Sequence, residues 1–460
     1  MRSFFLKYIT RYLAVFCILL IVYNPYLKDW TLNGDELIVL EVGRNDSVKD
    51  FLKRFIYNGP GHYSPLIFAL WKLYALLPSH FALIHLVNLA LFALAPFLLL
   101  ISLELLLPTI LSILLTCILI LSPIYYYHVY VISAHANTLS LVIFFLMFYL
   151  LLKTRKKPKA KYLYISLIFF LLSFFVRETF LINFFILLIT ANFYFKKNVK
   201  KTLLLIIPLG VIVLIFFYLR SKTLSQNNIY YSYIFNFYKL KDTVLFFTPW
   251  LFNYPAGWQY GVSQPPTFYY LFLVLSNIFI TLGIYLYLYL KKPVVLFLIL
   301  AGGVITLLPY FFLSRILVFY LDLTYPIWLL GIAYTLSLLR KRYARLTVIT
   351  VIFIFFIQIF TAAWVIPQWV KHSFAGESNE IAKNFIKALQ SAKIDNYQSL
   401  CITNHVKGRW PTYEGKLAKY FAGHNLDVIS TPGQEVPDIC LKRDSLILKN
   451  EGNTYFLLDI

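Results

Sequence analysis

This 460-residue chain has few charged residues. Only 13% of its residues are Asp, Glu, Lys or Arg, whereas a soluble domain contains about a quarter. Hydrophobic residues make up 60%, and the mean hydropathy is +0.72. This composition excludes a water-soluble enzyme. It also excludes a disordered chain, because disorder requires low hydrophobicity.

The chain also lacks the short motifs that mark several large classes of enzyme. It has no Walker A loop, no Gly-x-Gly-x-x-Gly, no His-Glu-x-x-His and no Cys-x-x-Cys. ATP hydrolysis, nicotinamide chemistry and a thiolate metal site are therefore unsupported. No internal repeat is visible, which argues against a secondary transporter built from duplicated halves.

Acidic residues are scarce: there are 20 against 42 basic residues, and the formal net charge is +22. In a soluble protein this excess would suggest nucleic acid as a partner. Here it indicates membrane orientation, because cytoplasmic loops concentrate Lys and Arg. With the N-terminus inside, the predicted inner segments hold about 19 of the basic residues and one acid. The sequence thus predicts a multi-pass protein of the cell (plasma or inner) membrane with a cytoplasmic N-terminus, and no nucleic-acid partner.

Apolar runs of the length that crosses a bilayer, roughly 20 residues, recur through the first 365 residues. The predicted fold class is an all-α polytopic membrane protein with about eleven transmembrane helices and a small C-terminal extracytoplasmic α/β domain. The predicted spans are 8–27, 81–103, 109–127, 136–152, 162–177, 179–195, 202–219, 268–290, 294–312, 316–339 and 346–366. We interpret the first span as a retained helix, since no small-residue cleavage site follows it.

The predicted external segments are uneven. The membrane domain, 1–365, has a first loop over 28–80 with interfacial helices, one of them short and apolar (66–77), and an aromatic-rich loop over 220–267. The tail, 366–460, returns to soluble composition and is predicted to be extracytoplasmic. Its pattern predicts helices at 378–392 and 413–422, and strands near 399–403, 426–430, 444–448 and 454–459. Cys401 and Cys440 lie in this tail, and the sequence leaves open whether they are bridged.

Carboxylates cluster in the first loop, which holds six acidic residues between Asp29 and Asp50. Asp35 and Glu36 follow Gly34 and open a segment with a helical pattern. Asp35 is a candidate general base, and its alternative role is a helix N-cap. For Glu36 three roles stay open: a metal ligand, a partner of a nearby Arg, and a first-turn helix charge.

Two further residues are candidates for substrate contact. His62 stands at the mouth of the short apolar helix, where it either touches substrate or caps the helix. Tyr260 lies in the aromatic loop. Aromatic rings with polar tips suit a carbohydrate ring face, although a bilayer interface alone also explains this composition.

Arginines at predicted outer helix ends are candidates for phosphate binding, and the acids near them, Glu178 and Asp322, are candidates for the substrate cavity. Arg177 and Glu178 occupy the tip of a helical hairpin, where Arg either grips a phosphate bidentately or anchors the topology. Arg315 opens the tenth span, and Asp322 lies seven residues later on the same predicted helical face. We expect a polar cavity there, with Arg315 on phosphate and Asp322 holding it in place; the alternative is a purely structural pair.

Together these motifs resemble the GT-C membrane glycosyltransferases, in particular relatives of the protein O-mannosyltransferases and of the lipid A aminoarabinose transferase. The resemblance covers roughly residues 1–365 and depends on Asp35-Glu36 in the first external loop, on His62-Tyr63-Ser64-Pro65-Leu66 entering a short helix, and on Arg315. Family members more often have proline where this chain has Ser64. The tail has no assigned counterpart.

The resemblance implies a polyprenyl-phosphate sugar donor, and a lipid, glycan or protein acceptor whose hydroxyl receives the sugar at the outer face, with inversion. Asp35 would act as the base, and Arg315 with Arg177 would stabilise the departing phosphate. Some relatives use a divalent cation (Mg or Mn) and others do not, so Asp35 and Glu36 leave a metal undecided. Two other functions stay open: a transporter or flippase of a lipid-linked sugar, and a polysaccharide polymerase or ligase.

Overall fold

The architecture comes from a computed structural model of the whole chain. The residues that the structure describes are 2–27, 30, 36–37, 40, 43, 47, 49–50, 65–76, 81–131, 134–177, 180–224, 236–251, 267–308, 310–311, 318–394, 397–403, 417–418, 426–431, 436, 438–441, 445–451 and 454–457.

Helices dominate the described residues. They are α1 (Arg2–Leu27), α2 (Pro65–Ala75), α3 (Phe81–Leu103), α4 (Thr109–Leu121), α5 (Tyr126–Tyr130), α6 (His135–Lys156), α7 (Ala160–Ser173), α8 (Phe180–Tyr194), α9 (Val199–Leu224), α10 (Phe237–Leu251), α11 (Thr267–Lys291), α12 (Pro293–Leu307), α13 (Thr324–Leu339), α14 (Ala344–His372) and α15 (Phe374–Ser391). Short 3₁₀ turns lie at Pro123–Tyr125, Val318–Leu321 and Asp438–Cys440.

The helices agree with a helical membrane protein. Within the described residues, five helices are long and apolar enough to cross a bilayer, or six if α4 and the turn of helix after it count as one bent span. Five shorter apolar helices accompany them. Each of the eleven predicted spans overlaps one of these helices. By length and apolarity alone, five or six of them qualify as complete crossings in the part of the chain that the structure describes.

Several predicted span boundaries were wrong, and backbone chemistry explains the clearest case. The predicted span 109–127 is broken after Leu121, and its two parts differ in direction by 56°. Pro123 has no backbone N–H, and a residue before proline disfavours helical conformation. Ser122 is accordingly extended. The aromatic stretch 220–267, interpreted as a loop, contains helix α10.

A charged pair links α1 to the end of α3. Arg11 of α1 donates through Nε and Nη2 to Oε1 of Glu104, at 2.9 and 2.7 Å. Glu104 follows the last turn of α3 and is the one acid predicted on the cytoplasmic side. Because it pairs with Arg11, the carboxylate helps to dock α1 against α3.

The tail is the small α/β unit that the sequence predicts. Its strands are β1 (Ser399–Thr403), β2 (Asp427–Ser430), β3 (Ser445–Glu451) and β4 (Thr454–Leu457), in the order β2-β1-β3-β4. Strand β1 runs parallel to β2 and β3, and β3 and β4 are antiparallel. Of the predicted helix 413–422, the described residues Leu417 and Ala418 are helical.

The tail packs onto described residues of the first loop. Apolar side chains from both form one buried cluster. On one side it contains residues of the loop, α2 and α3, and on the other side residues of α15 and the sheet. Its members include Leu37, Leu40, Tyr74, Ile84, Phe385, Leu389, Leu400 and Leu448. At the start of α15 the backbone passes so close to the end of α14 that a side chain would not fit. A Cβ at Gly376 would lie 2.1 Å from the carbonyl oxygen of Val370. The tail therefore packs against Leu37 and Leu40, which follow Glu36 in the first loop.

Cys401 and Cys440 form a disulfide between β1 and the Asp438–Cys440 turn, with 5.9 Å between their Cα atoms. Replacing both with Ser should lower the free energy of unfolding of the tail by about 2–4 kcal/mol, because the cross-link restricts the unfolded chain. Thermal unfolding of the purified full chain measures this effect. Cys17→Ser, at a free cysteine, is the control. An unchanged melting curve for the double variant would contradict the prediction.

Candidate functional site

The structure describes three of the eight predicted site residues. They are Glu36, Arg177 and Asp322. The other five lie outside the described residues: Asp35, His62, Glu178, Tyr260 and Arg315.

Arg177 and Asp322 form a buried ion pair. Nη1 of Arg177 lies 3.4 Å from Oδ2 of Asp322, and the two side chains are 5% and 0% exposed. Arg177 stands in the turn between α7 and α8, and Asp322 immediately precedes α13. A buried charge without a partner costs several kcal/mol, so each residue depends on the other, across 145 positions of sequence.

The predicted geometry around Asp322 was wrong in one respect. We expected Asp322 inside a continuous helix over 316–339, but the 3₁₀ turn ends at Leu321 and α13 begins at Thr324. Pro326 suits the first turn of α13, where an N–H has no helical acceptor. Asp322 therefore lies in a junction between two helical segments. Its carboxylate meets Arg177, while the predicted partner Arg315 lies outside the described residues.

Polar and aromatic groups surround the pair. Nη1 of Arg177 also donates to Oδ1 of Asn137, near the start of α6. The rings of Tyr310 and Tyr320 stack 4.2 Å apart, and Cζ of Arg177 lies 5.3 and 5.6 Å from their centroids. Tyr rings at this distance attract a guanidinium through their π faces. Asp322, Asn137 and the two tyrosine rings thus all contact the Arg177 guanidinium and fix its orientation.

The short apolar helix reaches this turn. The backbone N–H of Leu66, in the first turn of α2, donates to the carbonyl oxygen of Phe175 at 3.1 Å. Leu66 ends the His62 to Leu66 motif, and Phe175 is two residues before Arg177. Two motifs that are more than a hundred residues apart in sequence are therefore neighbours in the fold.

The connection between α4 and α6 contributes buried polar residues that the sequence analysis missed. Nδ1 of His128 lies 3.2 Å from Oγ1 of Thr138, and Nδ2 of Asn88 donates to the carbonyl oxygens of His128 and Val129. The sequence signal that could have indicated them is the position of His128 and His135 between two predicted spans, and of Asn137 at the start of the second.

His135 occupies the start of α6 and is fully buried. Its ring lies 4.5 Å from that of Tyr74 in α2. Neither ring nitrogen of His135 has a hydrogen-bond partner within the described part of the chain. Burial raises the pKa of the Tyr74 phenol above its ordinary value, so this hydroxyl stays neutral.

Glu36 is helical and has no exposed surface. Its neighbours Leu37 and Leu40 belong to the cluster under the tail. Glu36 is thus enclosed by the protein. Among the described residues, no three His, Cys, Asp or Glu side chains are grouped so as to hold a metal ion.

The centre formed by Arg177, Asp322, Asn137, Tyr310 and Tyr320 is called the arginine centre below. It lies at the helix ends opposite the basic segment between α6 and α7. No family model and no curated protein matches this chain. Its chemistry must therefore be inferred from the arrangement itself. A buried, oriented guanidinium beside aromatic walls is suited to binding an oxyanion, above all a phosphate.

Proposed function

We propose that this protein is a GT-C-type glycosyltransferase that moves a sugar from a polyprenyl-phosphate donor to an acceptor hydroxyl at the outer face of the cell membrane. The proposal includes eleven crossings, a cytoplasmic N-terminus and an extracytoplasmic tail. The observation that carries it is the arginine centre: a buried guanidinium, held by Asp322 and Asn137, beside the helix that follows the His62 motif.

The role of Arg177 follows from its fixed orientation. A guanidinium carries five N–H donors in a rigid fork, so holding Nη1 also directs the others. Catalysis benefits when such donors are in place before negative charge develops, because nothing must then reorganise during the reaction. In the proposal Arg177, together with Arg315, stabilises the polyprenyl phosphate as it leaves the sugar.

The chemical step uses the first loop. Asp35 accepts the proton of the acceptor hydroxyl while its oxygen attacks the anomeric carbon from the side opposite the phosphate. The bond between that carbon and the phosphate oxygen breaks, and the electron pair leaves with the polyprenyl phosphate. The configuration at the anomeric carbon is inverted. His62, Glu178 and Tyr260 are proposed contacts of the substrates.

A buried ion pair near a membrane also occurs in transporters, where charged pairs mark ion or substrate pathways. The alternative to a transferase is therefore a flippase that moves the lipid-linked sugar and makes no bond. The two functions need different assays. A transferase makes a covalent bond, which can be detected in solution, whereas a flippase can be detected only across a bilayer that separates two compartments.

The test uses the purified chain in detergent micelles, where no two sides exist. Lipid-linked sugars are extracted from cells with and without the protein, and the species that accumulates in its absence is supplied as donor. We expect mass spectrometry to show sugar transfer to an acceptor extracted from the same cells. Donor that stays intact in micelles, but crosses the bilayer of reconstituted vesicles, would reject the transferase in favour of the flippase.

A further inference from the structure

A cavity lies between α6, α8, α12 and α13, and its lining begins at Ile182 and Ile327, five residues beyond Arg177 and Asp322. Its volume is about 330 Å³, and its walls are almost entirely apolar. Such a volume is within the range of about 300–1,000 Å³ that holds small ligands. We call this cavity the helix groove.

The helix groove runs along the helices. On α6 its wall extends from Phe144 to Arg155, and on α8 from Ile182 to Phe193. Eleven residues of helix correspond to about 16 Å, which is about half of a hydrocarbon core of roughly 30 Å. The groove therefore has the length of one membrane leaflet. Its Arg155 end faces the side that the basic segments predict to be cytoplasmic.

Glycine keeps the groove open on the α12 side. Gly302 lines it, and a Cβ at this position would meet the side chains of Ile327 and Ile182 at 3.5 to 3.6 Å. An added methyl would be in ordinary contact, but a longer side chain must extend into the groove. The next residue, Gly303, does not line it and has more space, since its nearest side-chain atom is 3.8 Å away in Thr324.

Charge is confined to one end. Among the described residues that line the helix groove, Arg155 is the one with a charge, and it is exposed. Its Cζ lies 5.8 Å from the ring of Tyr334, and the adjacent chain, from Lys153 to Lys161, is strongly basic. Basic pockets between transmembrane helices on the cytoplasmic side suit anionic lipid head groups.

We propose that the helix groove binds an anionic glycerophospholipid of the cytoplasmic leaflet, with one acyl chain in the groove and its phosphate on Arg155. Charge complementarity selects this occupant. By the proposed function, a polyprenyl donor has its phosphate at the opposite face, near Arg177, and gains nothing from Arg155. The choice of occupant rests on the proposed function in this one respect; the lipid site itself involves different residues and no chemistry.

Native mass spectrometry of the full chain tests this site, with phosphatidylglycerol and phosphatidylcholine of identical acyl chains as probes. We expect retention of phosphatidylglycerol about fivefold higher, as expected for one basic residue near the head group. Arg155→Gln should remove this preference. The matched control is Arg342→Gln, since Arg342 also lies over a tyrosine ring, that of Tyr343 at 5.4 Å, but does not line the groove.

A second pair of variants tests the apolar part. Gly302→Leu should lower retention of both lipids severalfold, because its side chain fills the groove, whereas Gly303→Leu should not. Thermal unfolding of each variant confirms that it is folded. Equal retention of the two lipids by the unmodified chain would overturn the proposal. So would equal losses in the Arg155 and Arg342 variants, undiminished binding after Gly302→Leu, or displacement of both phospholipids by a polyprenyl phosphate.

Discussion

Asp35→Asn is expected to lower sugar transfer by about 10²- to 10⁴-fold, the range typical of a lost general base. Asparagine has nearly the same shape as aspartate but cannot accept the acceptor's proton at neutral pH. Insertion and abundance should therefore stay unchanged. The measurement is the initial rate of transfer in micelles, with donor and acceptor at saturating concentrations.

Asp50→Asn is the matched control for this prediction. Asp50 is a carboxylate of the same loop, and its Oδ2 accepts a hydrogen bond from the hydroxyl of Ser47 at 2.6 Å on the exposed surface. Its loss should leave the rate within about twofold, because a general-base effect requires contact with the reacting hydroxyl. Full transfer by the Asp35 variant, or equal losses in both variants, would exclude Asp35 as the base.

Arg177→Lys is expected to lower transfer by about 10²- to 10³-fold, as for the loss of an oriented donor at a developing oxyanion. Lysine keeps the positive charge beside Asp322, so the protein should stay folded. Its ammonium has no planar fork and cannot reproduce the bidentate geometry. The same rate measurement applies, and Arg342→Lys, at a residue away from the arginine centre, is the control.

A structural role for Arg177 must be separated from a catalytic one. Arg177→Gln alone should reduce abundance, because it leaves Asp322 buried without a partner, at about 3–5 kcal/mol. The double variant Arg177→Gln with Asp322→Asn removes both charges and should restore abundance. We expect this double variant to remain inactive. Transfer at the unmodified rate would show that the pair is only structural.

Local patterns predicted much of the tail. Strand β1 has the predicted bounds, and the other strands differ by one to three residues. Short apolar runs between turn residues specify such strands directly. The disulfide was left open, since a spacing of 39 residues contains no geometry. The sheet decided it by placing β1 beside the turn that carries Cys440.

The arginine centre was predicted only in part. Arg177 and Asp322 were recognised because charges near the ends of apolar spans are rare and expensive. Their pairing was not predicted, because a hydropathy pattern describes one span at a time and does not show which spans pack together. The sequence suggested Arg315 for Asp322 on the assumption of a continuous helix, and the junction at Asp322 removes that assumption. The polar residues from His128 to Asn137 were missed because none of them belongs to a recognisable motif.

Composition and hydropathy by themselves indicated a helical membrane protein. These properties depend on transfer of side chains between water and an apolar phase, which is additive along the sequence. Only the tertiary structure decided that Arg177 meets Asp322, that Leu66 reaches Phe175, and that the tail packs against Leu37 and Leu40 of the first loop. Such contacts join residues more than a hundred positions apart, and packing, which no local pattern contains, selects among them.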